Sequence, residues 1–200
     1  MSESVQAKPQ SIVLALTVVA ILATAILALT DLATREPIAE AQRAAIQKGL
    51  LQVLPAHAND PLADLLEAEW QGQSVRVYLG RNKSGRITGL AWNVTAPDGY
   101  AGSIHILMGV SRDGAIHAIR ITDHRETPGL GDGIVNNQAW LDHFGGATLV
   151  AAKWAVKKDG GDFDQFTGAT ITPRAVVAAV KRGLEFFAAS RKTLLAGKEE

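Results

Sequence analysis

Residues 11–30 read SIVLALTVVAILATAILALT, and this stretch decides how the chain is organised. It contains no charged residue, glycine or proline, and it has the length of about 20 apolar residues that a helix needs to cross a bilayer. A cleaved signal peptide normally has a shorter apolar region followed by a small-x-small cleavage site, and no convincing site follows here. The stretch therefore predicts an uncleaved transmembrane helix over residues 11–30.

The composition of the 200-residue chain excludes several classes of protein. Lys and Arg total 20 and Asp and Glu total 20, so the chain lacks the basic excess that is typical of nucleic-acid binders. Apolar residues make up 47% of the chain, which argues against disorder. Cysteine is absent, which excludes disulfides, thiolate catalysis and Cys-ligated clusters. The five histidines lack metal-site spacing, so no metal site is predicted.

The charges that flank the apolar stretch leave its orientation open. Lys8 lies on the N-terminal side, whereas Arg35, Arg43 and Lys48 lie on the C-terminal side. Counted by the positive-inside rule, these residues slightly favour a cytoplasmic C-terminal domain. Large domains, however, cross membranes largely regardless of their charge.

The chain after the anchor predicts one α+β domain. Pro37 suits the first position of a helix that ends at Pro55, so residues 31–60 are interpreted as a juxtamembrane helix and linker. Residues 61–200 are interpreted as the domain itself. Short apolar runs separated by turn residues predict strands at 74–79, 86–94, 103–110, 114–122 and 147–156. Helical spacing predicts helices at 134–144 and 173–191, and the tail 197–200 is expected to fray.

The segment most informative about chemistry is GGDFDQFTGATITPR, residues 160–174. It predicts a glycine-containing turn that enters a helix, with Thr172 as the cap and Pro173 at the first helical position. Thr170 then lies just outside a helix N-terminus, where backbone N–H groups and the helix dipole favour a phosphate. Arg174 is positioned to add charge-assisted hydrogen bonds. The alternative is that these threonines serve only as turn and capping residues.

The pattern Asp164-x-x-Thr167-Gly168-Ala169-Thr170 resembles the flavinylation motif of membrane-anchored FMN-binding domains. This resemblance implies that FMN is joined through its phosphate to Thr170, which would make the chain a phosphoprotein. A separate Mg²⁺-dependent flavin transferase, with FAD as donor, performs the attachment in that family. Thr167, Gly168 and Ala169 would form the turn that the transferase recognises, and Asp164 completes the signature.

A second segment, Glu126-Thr127-Pro128-Gly129-Leu130-Gly131, is similar to the ETPGLG element of the same family. Its glycines allow the backbone to approach a ligand closely. The resemblance implies that this element borders the flavin through Glu126, Thr127, Gly129, Leu130 and Gly131. Without the first motif, a surface turn with no ligand would be the simpler interpretation.

Together the anchor, the two motifs and the last helix resemble the G subunits of Rnf/Rsx-type ion-translocating electron-transport complexes. This resemblance implies an N-terminal single transmembrane helix followed by one mixed α/β FMN-binding domain. It also implies a bacterial inner-membrane flavoprotein with residues 1–10 cytoplasmic and residues 61–200 periplasmic. Such a chain relays electrons through covalent FMN and is not expected to be catalytic alone. Its expected partners are other membrane subunits, a flavin transferase and membrane lipid, with no nucleic acid.

Three alternatives remain at this point, and one is a self-contained flavin reductase whose soluble domain oxidises NAD(P)H alone. The C subunit of a sodium-pumping NADH:quinone reductase shares the anchor and the threonine motif. A membrane-anchored scaffold or sensor would keep the fold without binding a redox cofactor.

Overall fold

The computed structural model describes residues 9–196 of the chain. The expected frayed tail, residues 197–200, and most of the expected cytoplasmic N-terminus, residues 1–10, lie outside the described residues. The chain divides into two compact units, of which the first ends at Ile46 and the second begins at Gln47.

The first unit is formed by most of helix α1, which spans Pro9–Val53. Its large apolar side chains are exposed, with Leu27, for example, 70% exposed. The hydroxyls of Thr17 and Thr24 donate to carbonyls four residues earlier, at 2.9 and 2.8 Å, so these polar groups are satisfied within the helix. A helix with outward apolar side chains and internally paired polar groups suits a bilayer. Of the described residues, only the stretch Ile12–Val53 is long and apolar enough to span a membrane, as a single-pass anchor does.

The sequence-based prediction that a new helix begins at Pro37 is wrong. Pro37 lies inside α1, and the same helix continues to Val53. The disruption caused by a proline is local, because it removes one N–H donor and crowds one carbonyl, that of the residue four positions earlier. The helix continues on both sides of Pro37.

The second unit is built on one antiparallel sheet in which the five strands lie side by side in chain order. The strands are β1 (Leu65–Trp70), β2 (Gln73–Arg81), β3 (Ile87–Ala96), β4 (Ile104–Ser111) and β5 (Ile116–Asp123). Four of the predicted strands correspond to β2–β5, whereas β1 was missed. Its residues alternate between exposed and half-buried positions, as in an edge strand, and Glu67, Ala68 and Glu69 at its centre have low strand propensity.

The predicted strand at 147–156 is absent from the sheet. This stretch forms turns, and within it only Val156 makes a bridge, to Phe163. The indole N–H of Trp154 donates to the carbonyls of Thr148 and Leu149, each at 3.2 Å. The apolar run therefore folds back on itself, and the carbonyls of Thr148 and Leu149 accept a side-chain N–H instead of pairing with a neighbouring strand.

Helix α4 (Ile171–Ala196) covers one face of the sheet. Its buried stripe is the one predicted from helical spacing, Val176, Val177, Val180, Leu184 and Phe187. The stripe packs on side chains such as Trp92 and Met108 of the central strands. Gly183 leaves no room for a side chain against Met108, so α4 lies close to the sheet at that point.

The opposite face is covered by residues 47–54, which belong to the second unit. Leu50, Val53 and Leu54 form a small buried cluster there with Tyr78 and Leu107. The sheet is therefore the middle layer between two helical segments, and its turns and the loop after β5 remain available for a site.

We predict that Gly109→Ala destabilises the second unit, because a methyl group at Gly109 would overlap the carbonyl of Val53. Overpacking of this kind lowers the free energy of unfolding by about 1–3 kcal/mol. Gly80→Ala is the matched control, since its methyl group would lie no closer than 3.4 Å to its neighbours. Chemical denaturation of both variants measures the effect, and equal losses would contradict the prediction.

Candidate functional site

The Thr167–Thr170 segment is a tight turn on the surface. The amide of Ala169 donates to the carbonyl of Phe166 at 3.1 Å, which closes the turn. Gly168 has φ +80°, a left-handed conformation that disfavours any residue with a Cβ. Thr167 and Gly168 are exposed, whereas Thr170 is half-buried. The turn therefore presents its first two residues to solvent.

Thr170 caps helix α4. The helix begins at Ile171, and the amide of Arg174 donates to the carbonyl of Thr170 at 3.3 Å. The predicted cap at Thr172 and helix start at Pro173 are therefore wrong by two residues. Proline is tolerated at this later position because the first four amides of a helix have no intrahelical partner. The threonine thus lies at the positive end of the helix itself, where a phosphate is favoured.

An aromatic contact holds the chain that leads into this turn. Two short helices, α2 (Gly133–Asn136) and α3 (Gln138–Asp142), replace the single helix predicted at 134–144, and the side chain of Asn137 caps the second. From α3, the Trp140 indole N–H donates to the carbonyl of Asp164 at 2.8 Å. The same indole lies 5.3 Å from the ring of Phe166, measured between centroids.

The charged side chains near the turn are paired with each other. The Asp164 carboxylate lies 2.8 Å from the ammonium of Lys157, in a half-exposed ion pair. Arg174 donates to both carboxylate oxygens of Asp159, at 2.7 and 3.0 Å. Hydrogen bonding to Arg174 lowers the pKa of Asp159, and the same bond raises the pKa of Arg174. The arginine that was expected to face a phosphate is therefore bound to a carboxylate in this structure.

The Glu126–Gly131 segment forms a compact loop after β5. The carbonyl of Thr127 accepts hydrogen bonds from the amides of Leu130 and Gly131, both at 3.1 Å. Gly129 has φ +78°, which the turn requires. Thr127, Gly129 and Leu130 are exposed, while Gly131 is buried.

This loop lies close to the threonine turn. The Leu130 side chain lies 3.7 Å from the position that a Cβ of Gly168 would occupy. Gly133 follows the loop by two residues and packs against the ring of Phe166. A Cβ at Gly133 would lie 3.0 Å from the nearest ring atom. The two sequence motifs, which are separated by more than 30 residues in the chain, therefore form one surface.

Glu126 does not face that surface. It is only 4% exposed, and its carboxylate accepts hydrogen bonds from the hydroxyl of Thr172 and, at 3.0 Å, from the amide of Ala101. Its own amide donates to Nδ1 of His124 at 3.1 Å. The sequence does not predict this role for Thr172 or for the 99–102 loop. Threonine at the second position of a helix and an isolated main-chain amide carry no local signal of a distant partner.

A cavity elsewhere in the second unit is separate from these residues. It has a volume of about 320 Å³, lies between α4 and strands β1–β3, and is lined by aromatic residues that include Trp70, Trp92 and Phe186. None of its lining residues belongs to either motif. Among the described residues no cluster of His, Asp or Glu is arranged to hold a metal ion.

Comparison with known proteins places this geometry in a family. Residues 99–185 match the FMN-binding domain model, and they include both motifs and the 99–102 loop. The chain is 48% identical to the G subunit of the ion-translocating oxidoreductase complex of Escherichia coli K12, with 74% of this chain and 76% of that protein covered. It is 42% identical to the corresponding G subunit of Aliivibrio fischeri MJ11, with 94% and 93% covered.

The chain belongs to this G-subunit family. A third relative, the G subunit of Cereibacter sphaeroides ATCC 17029, is 46% identical, with 85% of this chain and 80% of that protein covered. Among solved structures, Shewanella oneidensis NqrC shares the fold, with a TM-score of 0.53 and 22% identity, over 72% of this chain and 79% of that one. The predicted family and the predicted mixed α/β FMN-binding fold are confirmed.

The residues of this surface fit a flavin phosphate. A threonine hydroxyl stands at a helix N-terminus, the site where unpaired amides and the helix dipole attract phosphate. Gly129 has open space beside it, since nothing lies within 4 Å of the position of a Cβ, and Leu130 offers an exposed apolar side chain next to Gly168.

We predict that Trp140→Phe loosens the chain before the turn while keeping an aromatic ring there. The substitution removes the N–H that donates to the Asp164 carbonyl, and the loss of such a bond lowers the free energy of unfolding by about 1–2 kcal/mol. Trp70→Phe is the matched control, since Trp70 lies half-buried near Phe186 and away from the turn. Denaturation curves test this, and an equal effect of the two substitutions would refute the assigned bond.

Proposed function

We propose that this chain is the membrane-anchored flavoprotein subunit of an ion-translocating oxidoreductase complex and carries FMN as a phosphoester of Thr170. The observation that carries the proposal is the proximity of the two motifs at the N-terminus of α4, where Leu130 lies close to Gly168 and Thr170 caps the helix. The family match supports FMN as the cofactor, and the names of the relatives support membership of a multi-subunit complex.

The threonine is suited to accept a phosphoryl group. Its oxygen would attack the flavin-side phosphorus of FAD as the hydroxyl proton passes to a base. The P–O bond to Thr170 would form while the pyrophosphate P–O bond breaks and AMP leaves. The helix dipole favours the negative charge that remains on the new phosphodiester. Exposure of Thr167 and Gly168 leaves the turn accessible to a flavin transferase that must bind it.

The other site residues then have distinct roles. Thr167, Gly168 and Ala169 form the turn that the transferase recognises, and Gly168 provides its left-handed conformation. The exposed residues Thr127, Gly129 and Leu130 border the flavin, whereas Gly131 lies beneath them. Asp164 acts through its carbonyl and its ion pair with Lys157, which fix the approach to the turn.

The flavin supplies the redox chemistry, and the chain supplies its tether and orientation. Because the whole sequence contains no cysteine, Cys-ligated clusters are excluded as the electron carrier in this chain. The subunit is proposed to pass electrons between neighbouring subunits and not to turn over a substrate alone. Its anchor contacts membrane lipid through the exposed apolar side chains of α1.

We also propose that the second unit is periplasmic. The flanking charges favour neither side strongly, and a large domain crosses regardless of them. A covalent bond suits a periplasmic cofactor, because a flavin released on that side would be lost to the surroundings.

We predict that Thr170→Ala abolishes covalent flavin without unfolding the domain. The alanine removes the only oxygen that can form the ester at that position. Full-length protein is co-expressed with a flavin transferase and examined by in-gel fluorescence after denaturation and by intact mass, which rises by the mass of FMN less one water in the parent.

The control for this experiment is Thr193→Ala, an exposed threonine near the other end of α4, which should retain full labelling. Covalent flavin in the Thr170→Ala protein would refute the attachment site. A parent chain that stays unlabelled beside an active transferase would favour the cofactor-free scaffold instead.

We predict that a reporter active only in the periplasm is active when fused after Glu200 and inactive when fused before Met1. The measurement is reporter activity in whole cells, normalised to the amount of fusion protein in the membrane fraction. The reverse pattern from two stable fusions would place the second unit in the cytoplasm.

A further inference from the structure

We infer that Glu126 and Thr172 form a buried positioning lock that sets the flavin-attachment turn in place, and that Glu126 does not contact the flavin itself. This inference rests on the proposed function, because it assigns a task in the flavinylation of Thr170. Glu126 belongs to the loop motif, and the sequence predicts Thr172 only as a helix cap.

Glu126 and Thr172 differ from the other described polar residues in that their side chains are buried. They are the buried polar residues of the described chain, with Glu126 4% exposed and Thr172 fully buried. Burial of a carboxylate is costly unless hydrogen bonds replace its water. Here one carboxylate oxygen accepts the hydroxyl of Thr172 and the other accepts the amide of Ala101.

These two bonds join three segments that are distant in the chain. Glu126 follows β5, Ala101 lies in the loop between β3 and β4, and Thr172 is in the first turn of α4. The partners of Glu126 are 25 and 46 residues away in sequence. A single carboxylate therefore fixes where the helix begins relative to two loops of the sheet.

Two glycines fit closely around this carboxylate. A Cβ at Gly99 would lie 2.9 Å from one carboxylate oxygen, and a Cβ at Gly131 would lie 2.7 Å from the other and 3.0 Å from the hydroxyl of Thr172. Both glycines have ordinary backbone conformations, since neither is among the residues with positive φ. They are required for space, which allows the three segments to close over Glu126.

The lock acts on Thr170 through the helix. Thr172 is two residues further along the chain, and Thr170 already contributes its carbonyl to the first turn through Arg174. A helix turn is stiff, so holding the Thr172 side chain in the interior determines the direction in which the N-terminus and the hydroxyl of Thr170 face. Since both oxygens of Glu126 are bonded to the protein, the residue acts by positioning.

The test is the initial rate of flavinylation of the full-length chain in detergent, with purified flavin transferase, FAD and Mg²⁺. Thr172→Val keeps the shape of the side chain and removes the donor, and we expect the rate to fall roughly tenfold, because a buried acceptor is left without its partner. Thr172→Ser keeps the hydroxyl and should label at nearly the parent rate.

A matched variant separates positioning from stability. Val180→Ala creates a small void at a fully buried position of the same helix and leaves the lock intact. At a temperature where all the proteins are folded, it should label at the parent rate. Equal slowing in Val180→Ala and Thr172→Val would overturn the inference, and so would parent-like labelling of Thr172→Val.

A measurement without flavin keeps the inference testable if the attachment proposal fails. In Thr172→Val, hydrogen exchange of the segments 99–103 and 167–172 should both accelerate, because both are joined through Glu126. Unchanged exchange in both segments would overturn the lock. Covalent flavin on Thr170→Ala, or none on the parent chain, would instead refute the proposed function alone.

Discussion

The site depends on one buried carboxylate, that of Glu126. Water is excluded from it, and two hydrogen bonds from Thr172 and Ala101 replace the lost solvation. There is no room for side chains at Gly99 and Gly131, so the segments that contain them pack closely around the Glu126 carboxylate. Removal of either donor leaves a buried acceptor partly unsatisfied, which costs more than the bond itself contributes. The position of the neighbouring surface, which the two motifs form near Thr170, depends on this buried carboxylate.

That surface is open, and this explains why a tether suits it. Thr167, Gly168 and Leu130 are exposed, and the cavity beneath α4 is lined by other residues. A ligand held only by such a surface buries little area and gains little binding free energy. A bond to Thr170 at the helix N-terminus would hold a flavin there without a deep pocket, and it would leave the ring accessible to neighbouring subunits.

Sequence patterns predicted much of the fold where local periodicity is strong. The stripe of α4 and the strands β2–β5 were confirmed because their apolar residues recur at the spacing of one buried face. The edge strand β1 was missed because Glu67, Ala68 and Glu69 at its centre have low strand propensity. The run 147–156 was misassigned because two of its carbonyls accept the indole N–H of Trp154. Arg174 was expected to face a phosphate, and only the folded chain shows that Asp159 binds it.

By itself the sequence determined the apolar anchor, the absence of thiol chemistry and the two motifs whose resemblance led to FMN and Thr170. These features are local or compositional, so no folding is needed to recognise them. The tertiary structure alone decided that Thr170 caps α4, that the two motifs lie close together, and that Glu126 joins Thr172 to Ala101. The two donors are 25 and 46 residues away from Glu126 in the sequence, and they reach it only when the sheet and the helix pack together. No periodicity in the chain indicates which distant donor will bind a buried carboxylate.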